Sequence, residues 1–425
     1  MGNESSIPCA AEVAWEELKS AGGTPPSARE AHCLFEYGGS MFVFGGVGDA
    51  AELAVSGDEE NEEMGPASVT LNDFFRLDPA TGVWEEVVCS GTAPSPRGGF
   101  AAVVLGKQLV VFGGIDPYVG WMADTFLLDL ESFAWTPVAP SETAPSPRDK
   151  MAACAHPDGK TMLLFGGFGP QEDPDGGEAP EEQTATFGWF NSLHAFDVAT
   201  ASWREIACTG EAPTPRAAAG ASVLSRPALV KKAAPAADAA PAPAPGAEGE
   251  ATTDYVEDGP EKLFLYVACG RDAKGRLNDV FSLDLETAVW EQASTRGQKP
   301  VVRSFHSCAT LGSHHLLVFG GADERNQTQF DVNVLDTRAP GLQAWLQPTV
   351  RQDLSCPARA YQAACCAGGA FYVHGGASAF GRETGEHQAF LTDIWRLDPT
   401  ALLQFKTPTI AELNAAKEAA APAQS

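Results

Sequence analysis

Short apolar runs ending in a glycine pair recur along the chain. They read MFVFGG (41–46), QLVVFGG (108–114), MLLFGG (162–167), LLVFGG (316–321) and FYVHGG (371–376), with a degraded copy, FLYVACG, at 264–270. Each run is too short for a helix and rich in β-branched and aromatic residues, so each predicts a buried strand. Ahead of each run, small residues mix with apolar ones, as in GGFAAVVL (98–105). Behind it come a segment of the type DTFLLDL (124–130) and a short one carrying a tryptophan, FAWTPV (133–138). Gly, Pro, Asn and Asp punctuate the joins. The pattern predicts six units of four strands, each unit a small antiparallel sheet.

Other residues keep register with these runs. Arg29, Arg97, Arg148, Arg216, Arg303 and Arg359 precede them, and the distance to the first glycine is 16, 16, 18, 17 and 16 residues in the five clean copies. From Arg216 the gap swells to 53. Trp15, Trp84, Trp135, Trp203, Trp290 and Trp345 lie 13 or 14 residues before these arginines. Asp78, Asp129, Asp197 and Asp284 lead their tryptophans by six residues, and Asp336 by nine. A sheet of four short strands cannot bury both faces alone, whereas radial stacking covers the faces and leaves only short edges. The first strand, rich in Ala, Gly, Ser and Cys, suits the crowded axis, and each tryptophan suits the gap between neighbouring sheets.

The glycine doublet, the Asp and Trp six apart, and the proline two or three residues before the Arg ahead of each first strand resemble the kelch repeat. The resemblance covers about residues 13–407 and implies an all-β, six-bladed kelch-type β-propeller. Cys269-Gly270 replaces the doublet in the fourth unit, and the last unit lacks its own tryptophan. There are thus six sets of first-to-third strands and seven candidates for the fourth. We expect Trp15 (VAWEEL, 13–18) to supply the outer strand of the last blade and so join the two chain ends. The alternative is LLQFKTP (402–408), with Phe405 in the tryptophan's place.

Outside the blades, residues 1–12 read as a flexible N-terminus and 408–425 as a tail with a short helix, TIAELNAAKEAA, begun by a Thr409/Glu412 capping box. Residues 47–70 carry seven acids and no base, and 168–190 six acids and no base. Residues 225–260, rich in Ala and Pro, read as a disordered insertion between the first two strands of the fourth unit. MGNESS fits N-myristoylation at Gly2, which would give a weak acyl-mediated membrane contact and peripheral membrane association.

Charge narrows the function. Lys+Arg is 28 against Asp+Glu 56, a formal −28, so a phosphate backbone is repelled and nucleic acid is not expected as a partner. No run of 18 apolar residues predicts a transmembrane segment, and ten dispersed cysteines suit a reducing compartment. The expected localisation is cytoplasmic, with the nucleus also open.

The resemblance implies that the six arginines line a central pocket. His32, Phe100, Lys150, Phe305, His306 and Tyr361, just after them, should face the same opening, with Tyr118, Trp121 and Trp189 as apolar anchors on nearby loops. Guanidinium groups that converge suit a protein or peptide ligand with an acidic or carboxylate element, and the acidic loops suit basic flanks. This reads as a noncatalytic interaction module or scaffold, with no cofactor, metal or catalytic residue assigned. The alternative is a metal-dependent enzyme using the axial pocket, since the resembled family includes a few metal-containing members. The nearest metal pattern is Glu383…His387 in the loop 377–391, which also holds Arg382 and Glu386.

Overall fold

The computed structural model describes the chain except residues 1–8, 50–67, 172–185, 228–229, 232–254, 257–259, 339–342, 352–353, 379–388 and 408–425. The first blade comprises Cys33–Tyr37, Ser40–Asp49, Ser68–Asp78 and Val83–Glu86. The second comprises Ala101–Leu105, Gln108–Phe112, Thr125–Asp129 and Ala134–Pro137. The third is Ala152–Ala155, Thr161–Phe165, Leu193–Asp197 and Ser202–Glu205. Gly220–Pro227, Glu261–Ala268, Val280–Asp284 and Val289–Gln292 make the fourth. Ser307–Leu311, His315–Phe319, Val332–Asp336 and Gln343–Leu346 make the fifth. The sixth takes Ala363–Ala367, Ala370–His374 and Ile394–Leu397 from the C-terminal end and Trp15–Glu17 from the N-terminal end. Innermost strands touch in a ring, the sixth meeting the first. This is a six-bladed β-propeller.

Closure therefore runs through Trp15, which lies opposite Leu397 in an antiparallel pair. The alternative strand does not form over its described residues, 402–407; the short helix Thr400–Gln404 occupies its start. Leu402 packs into the same cluster as Trp15, and Phe405 leans on it, so this segment seals the seam from outside the sheet.

Each tryptophan packs against the preceding blade. Trp135 meets Phe44 at 5.1 Å, Trp203 meets Phe112 at 4.9 Å, Trp290 meets Phe165 at 5.6 Å and Trp15 meets Phe319 at 4.7 Å between ring centroids. At the sixth-to-first junction Trp84 meets His374 at 5.7 Å, because the repeat there reads VHGG instead of VFGG. The innermost strands are small because the backbones approach closely: a Cβ on Gly220 would lie 2.0 Å from Cys308 Sγ. Outer edges are covered in turn. The linker leaving one blade lays two residues parallel to the next blade's outer strand, as Gly91 does beside Trp135, which removes an open edge.

The strands of the fourth blade extend further than the composition suggested. Residues 225–227 pair with 261–263, and Val230–Lys231 pairs with Tyr255–Val256, so part of the expected 225–260 insertion is hairpin. Most of the Ala/Pro-rich stretch, the tail helix at 409–420, Gly2, and the tips of the two acidic loops lie outside the described residues.

Candidate functional site

All six repeat arginines are buried, and their guanidinium groups turn into their own blades instead of towards the axis. Arg97 shows the arrangement. Its Nε donates to the Ser95 carbonyl, Nη1 to the Gly113 carbonyl and to Asp124 at 2.5 Å, and Nη2 to Ser95 Oγ and Asp124. Arg29 pairs the same way with Asp73, Arg216 with Asp279, Arg303 with Asp331 and Arg359 with Asp393. Burial alone would raise the Asp331 and Asp393 carboxyls, but the arginines' hydrogen bonds and charge outweigh it and hold both below the ordinary range. Arg148 is the exception. Ser192 replaces the aspartate, Phe190 stacks 3.7 Å from the guanidinium carbon, and burial pulls the group down to about 10. The expectation that these arginines converge on the pocket is corrected: their donors tie the first strand to the second and third.

Two residues after each arginine the backbone turns left-handed, at Ala31, Gly99, Lys150, Ala218, Phe305 and Tyr361, with φ between 51° and 64°. These six residues form a closed ring of hydrogen bonds. Each N–H donates to the equivalent carbonyl of the preceding blade: Gly99 to Ala31, Lys150 to Gly99, Ala218 to Lys150, Phe305 to Ala218, Tyr361 to Phe305, and Ala31 back to Tyr361 at 2.9 Å. These residues surround a cavity of about 310 Å³ on the axis, also lined by Glu30, His32, Phe100, Asp149, Met151 and His306. Phe305 and Tyr361 stack at 3.8 Å and 19° across one side. His32 donates to or accepts from His374 at 2.8 Å. Burial, then the His374 charge, pushes His32 well below the usual imidazole range, and burial with Arg303 brings His306 down to about 3. Both are neutral rings in the cavity floor.

Two further arginines, outside the repeat positions, act on the cavity wall. Arg271 and Arg276 oppose each other across the two-residue strands Arg271–Asp272 and Gly275–Arg276 of the fourth blade. Like charges placed so are destabilising unless an anion joins them. Arg276 donates to Ser304 Oγ, the Asp323 carbonyl and Asn326 Oδ1, all neutral oxygens. Burial, then Arg271, lowers its pKa. Burial raises the Tyr361 phenol well above 10, as does the Glu30 charge, while Arg276 and Arg271 oppose the rise. Both guanidinium groups are thus within electrostatic reach of the cavity wall.

The sequence matches the KLHDC2/KLHL20/DRC7 Kelch-repeats domain over residues 53–230 and 243–419. The chain belongs to the kelch-repeat family. It is 26% identical to mouse Kelch domain-containing protein 1 over 311 residues, covering 70% of this chain and 64% of that protein. It is likewise 26% identical to bovine Kelch domain-containing protein 2 over 321 residues, covering 72% and 66%. A match to Acyl-CoA-binding domain-containing protein 4 of Arabidopsis thaliana is 35% identical over 260 residues, 60% of this chain but 31% of that protein. The chain thus spans just under two thirds of the length of the first two relatives.

In this kelch propeller the predicted loop aromatics gather beside the cavity, not in it. Trp121 lies 6.0 Å from Phe168 and 4.9 Å from Phe187, and Phe168 lies 5.1 Å from Trp189. Tyr118 stands clear of this group at the hairpin tip, 92% exposed. Asp116 accepts the backbone N–H groups of Tyr118 and Val119 and so fixes that turn. Of the pocket residues expected from sequence, His32, Phe100, Phe305, His306 and Tyr361 do line the cavity. Lys150, also expected there, lines it as well, whereas Glu30 and Asp149 were missed. Each sits one position after a repeat arginine, and that adjacency was the available signal. Among the described residues no group of three His, Cys, Asp or Glu side chains is placed to hold a metal ion, and Glu383 and His387 lie outside them. No helix among the described residues is long and apolar enough to cross a membrane.

Proposed function

We propose that this chain is a noncatalytic interaction module whose central cavity binds a peptide element of a partner protein through a carboxylate. The observation that carries the reading is the opposed Arg271/Arg276 pair, whose charges reach Tyr361 of the Phe305–Tyr361 stack, with the hydrogen bonds of Arg276 among the described residues made to neutral oxygens. A carboxylate between two guanidinium groups accepts charge-assisted bonds from both and relieves their repulsion. The stacked rings offer an apolar wall to the residue that carries it. The ligand's flanks would be basic, since the loops 47–70 and 168–190 carry thirteen acids and no base by sequence, seven and six respectively. A reducing, cytoplasmic setting suits the ten cysteines, none of them disulfide-bonded.

The test is selection of random dodecapeptides with free C-termini on the purified chain, repeated with Arg271→Ala/Arg276→Ala. Wild type should enrich peptides whose binding falls when the terminal carboxylate is amidated or an acidic side chain is replaced by its amide. These two arms separate a chain end from an Asp or Glu. Equal enrichment by the double variant would remove this site from the mechanism.

A further inference from the structure

The covering of outer edges has one exception. A two-residue parallel strand flanks the outer strands of the first, second, fourth and fifth blades, and Thr349–Val350 flanks Glu12–Val13 just ahead of the sixth blade's outer strand. Ser202–Glu205 of the third blade has no such neighbour. One residue explains the difference. The linkers reaching the second and third blades read SGTAPSPR (90–97) and SETAPSPR (141–148), identical but for Gly91 and Glu142. Gly23, Gly91 and Gly210 each stand six residues before a repeat arginine, with φ between 77° and 83°. A Cβ on them would run into the carbonyl oxygens of Trp84, Trp135 and Trp290 respectively. Glu142 occupies that position in the third linker, so this linker cannot lie flat against Trp203. It curls instead. Ser141 Oγ accepts the Thr143 N–H at 3.2 Å, and the Ala144 N–H donates to the Ser141 carbonyl at 3.1 Å. The Thr143 hydroxyl reaches the strand and donates to the Trp203 carbonyl at 2.7 Å. The carbonyls of Gly82, Phe133 and Ala288 each accept a linker N–H, but their counterpart Ala201 accepts none among the described residues. The curled linker and Trp203 both line a cavity of about 340 Å³, together with Asp124 and Thr125. Glu142 and Glu205 are exposed here against Arg204, and Asp124, paired with Arg97, is still 46% exposed, which leaves the edge acidic on balance.

We infer that the outer edge of the third blade docks an extended segment of a partner protein, added as a fifth strand parallel to Ser202–Glu205, with a glycine opposite Trp203 and a lysine or arginine flanking it. An exposed strand edge is a ready template for such pairing. The other blades show what this edge accepts, since Gly91 lies opposite Trp135 and Gly210 opposite Trp290. The glycine follows from the tryptophan carbonyl, and the basic flank from the surrounding acids. The incoming N–H groups take the Ala201 and Trp203 carbonyls, and the exposed Thr143 hydroxyl turns to water. A second copy of this chain fits poorly. Its matching edge reads Ser-Trp-Arg-Glu, with no glycine, and each copy carries a formal charge of −28. This edge shares no residue with the axial cavity.

The probe is a fluorescein-labelled peptide copied from residues 88–93, with serine for Cys89 and a lysine added at each end. Both ends are capped, so no terminal carboxylate is present. Titrated onto the full chain and followed by anisotropy, it should bind saturably, and equally well to Arg271→Ala/Arg276→Ala. Alanine in place of the peptide's glycine should weaken binding about tenfold, and glutamine in place of both lysines about threefold. Glu142→Gly gives the third linker the octapeptide of the second. It should let the linker cover its own edge and weaken the peptide about tenfold; melting temperature identifies a variant that fails to fold. In that event the glycine and alanine peptides on wild type still decide. No saturation up to about 1 mM, or equal binding of those two peptides, would overturn the inference. Undiminished binding by folded Glu142→Gly would overturn it as well. Loss of binding in Arg271→Ala/Arg276→Ala would move the peptide to the axial cavity and so away from this edge. Dimerisation of wild type that Glu142→Gly abolishes would make a second copy the occupant and overturn the assignment to a partner.

Discussion

Replacing Arg97 by Ala should unfold the propeller more readily and should not act as a simple loss of ligand. The buried fork makes five hydrogen bonds, three of them to Ser95 and Gly113 and two to Asp124. Losing it strands the Gly113 carbonyl, a buried acceptor, at about 1–3 kcal/mol. It also leaves a hole beside Phe126, whose ring centroid lies 5.5 Å from the guanidinium carbon. Asp124 is 46% exposed, so water takes over much of its solvation and the broken ion pair itself adds little. The total should be roughly 3 kcal/mol. Arg216→Ala should cost more, since Asp279 is only 23% exposed and is left less well solvated. Urea unfolding followed by tryptophan fluorescence measures both. Each interblade tryptophan should report the change. The reasoning is refuted if Arg97→Ala keeps the wild-type midpoint while peptide binding disappears, for the arginine would then be a ligand residue after all.

The same structure sets other expectations. Removing residues 1–20 deletes the outer strand of the sixth blade and should lower the thermal midpoint by many degrees, whereas removing 409–425 should change it little; calorimetry on the two truncations decides. Gly91→Ala should destabilise by more than about 1 kcal/mol, because the added Cβ would lie 2.2 Å from the Trp135 carbonyl oxygen at a left-handed φ of 77°; the denaturation midpoint reads it. Acid should unfold the protein early. His32, His306 and His374 are buried and neutral with pKa values below 6.5, so the unfolded chain binds protons that the folded one does not. Their contribution is fully present above about pH 6.5 and is lost as pH falls towards about 3, at about 1.4 kcal/mol per unit for each ring. Stability measured from pH 7 to 4 should fall accordingly, and His374→Phe should flatten the slope.

The ring architecture was legible because it is written in repeating spacing. Trp15 could be assigned to the last blade from its distance to Arg29 alone, while Phe405, off register with Asp398, lies at the end of a helical turn. The arginines were placed at the right positions but given the wrong direction. Spacing locates a residue in its repeat; it does not say which acid will reach it. Yet a signal was present. An aspartate directly precedes the third strand in four units, at Asp124, Asp279, Asp331 and Asp393, while Asp73 lies within the longer third strand of the first unit and Ser192 precedes that of the third, and each of these six side chains meets its unit's arginine. The left-handed residues were harder to see. Ala31, Gly99, Lys150, Ala218, Phe305 and Tyr361 share no chemistry, because the conformation is imposed by their neighbours across the axis. For the same reason two cavity residues went unread: Glu30 and Asp149 share one cavity only once separate blades are brought together.

The ring of hydrogen bonds around the axis has six links for six blades and no loose end. An open stack of repeats has one contact fewer than it has units, so it can lose a terminal unit for the loss of one contact. Here the removal of any blade breaks two links at once and leaves a gap that the other five cannot span without changing their mutual angle. Growth or shrinkage by whole units is therefore barred in single steps, while the hairpins that leave the ring on either side are free to lengthen. Blade number is fixed by geometry, and diversity is left to the loops.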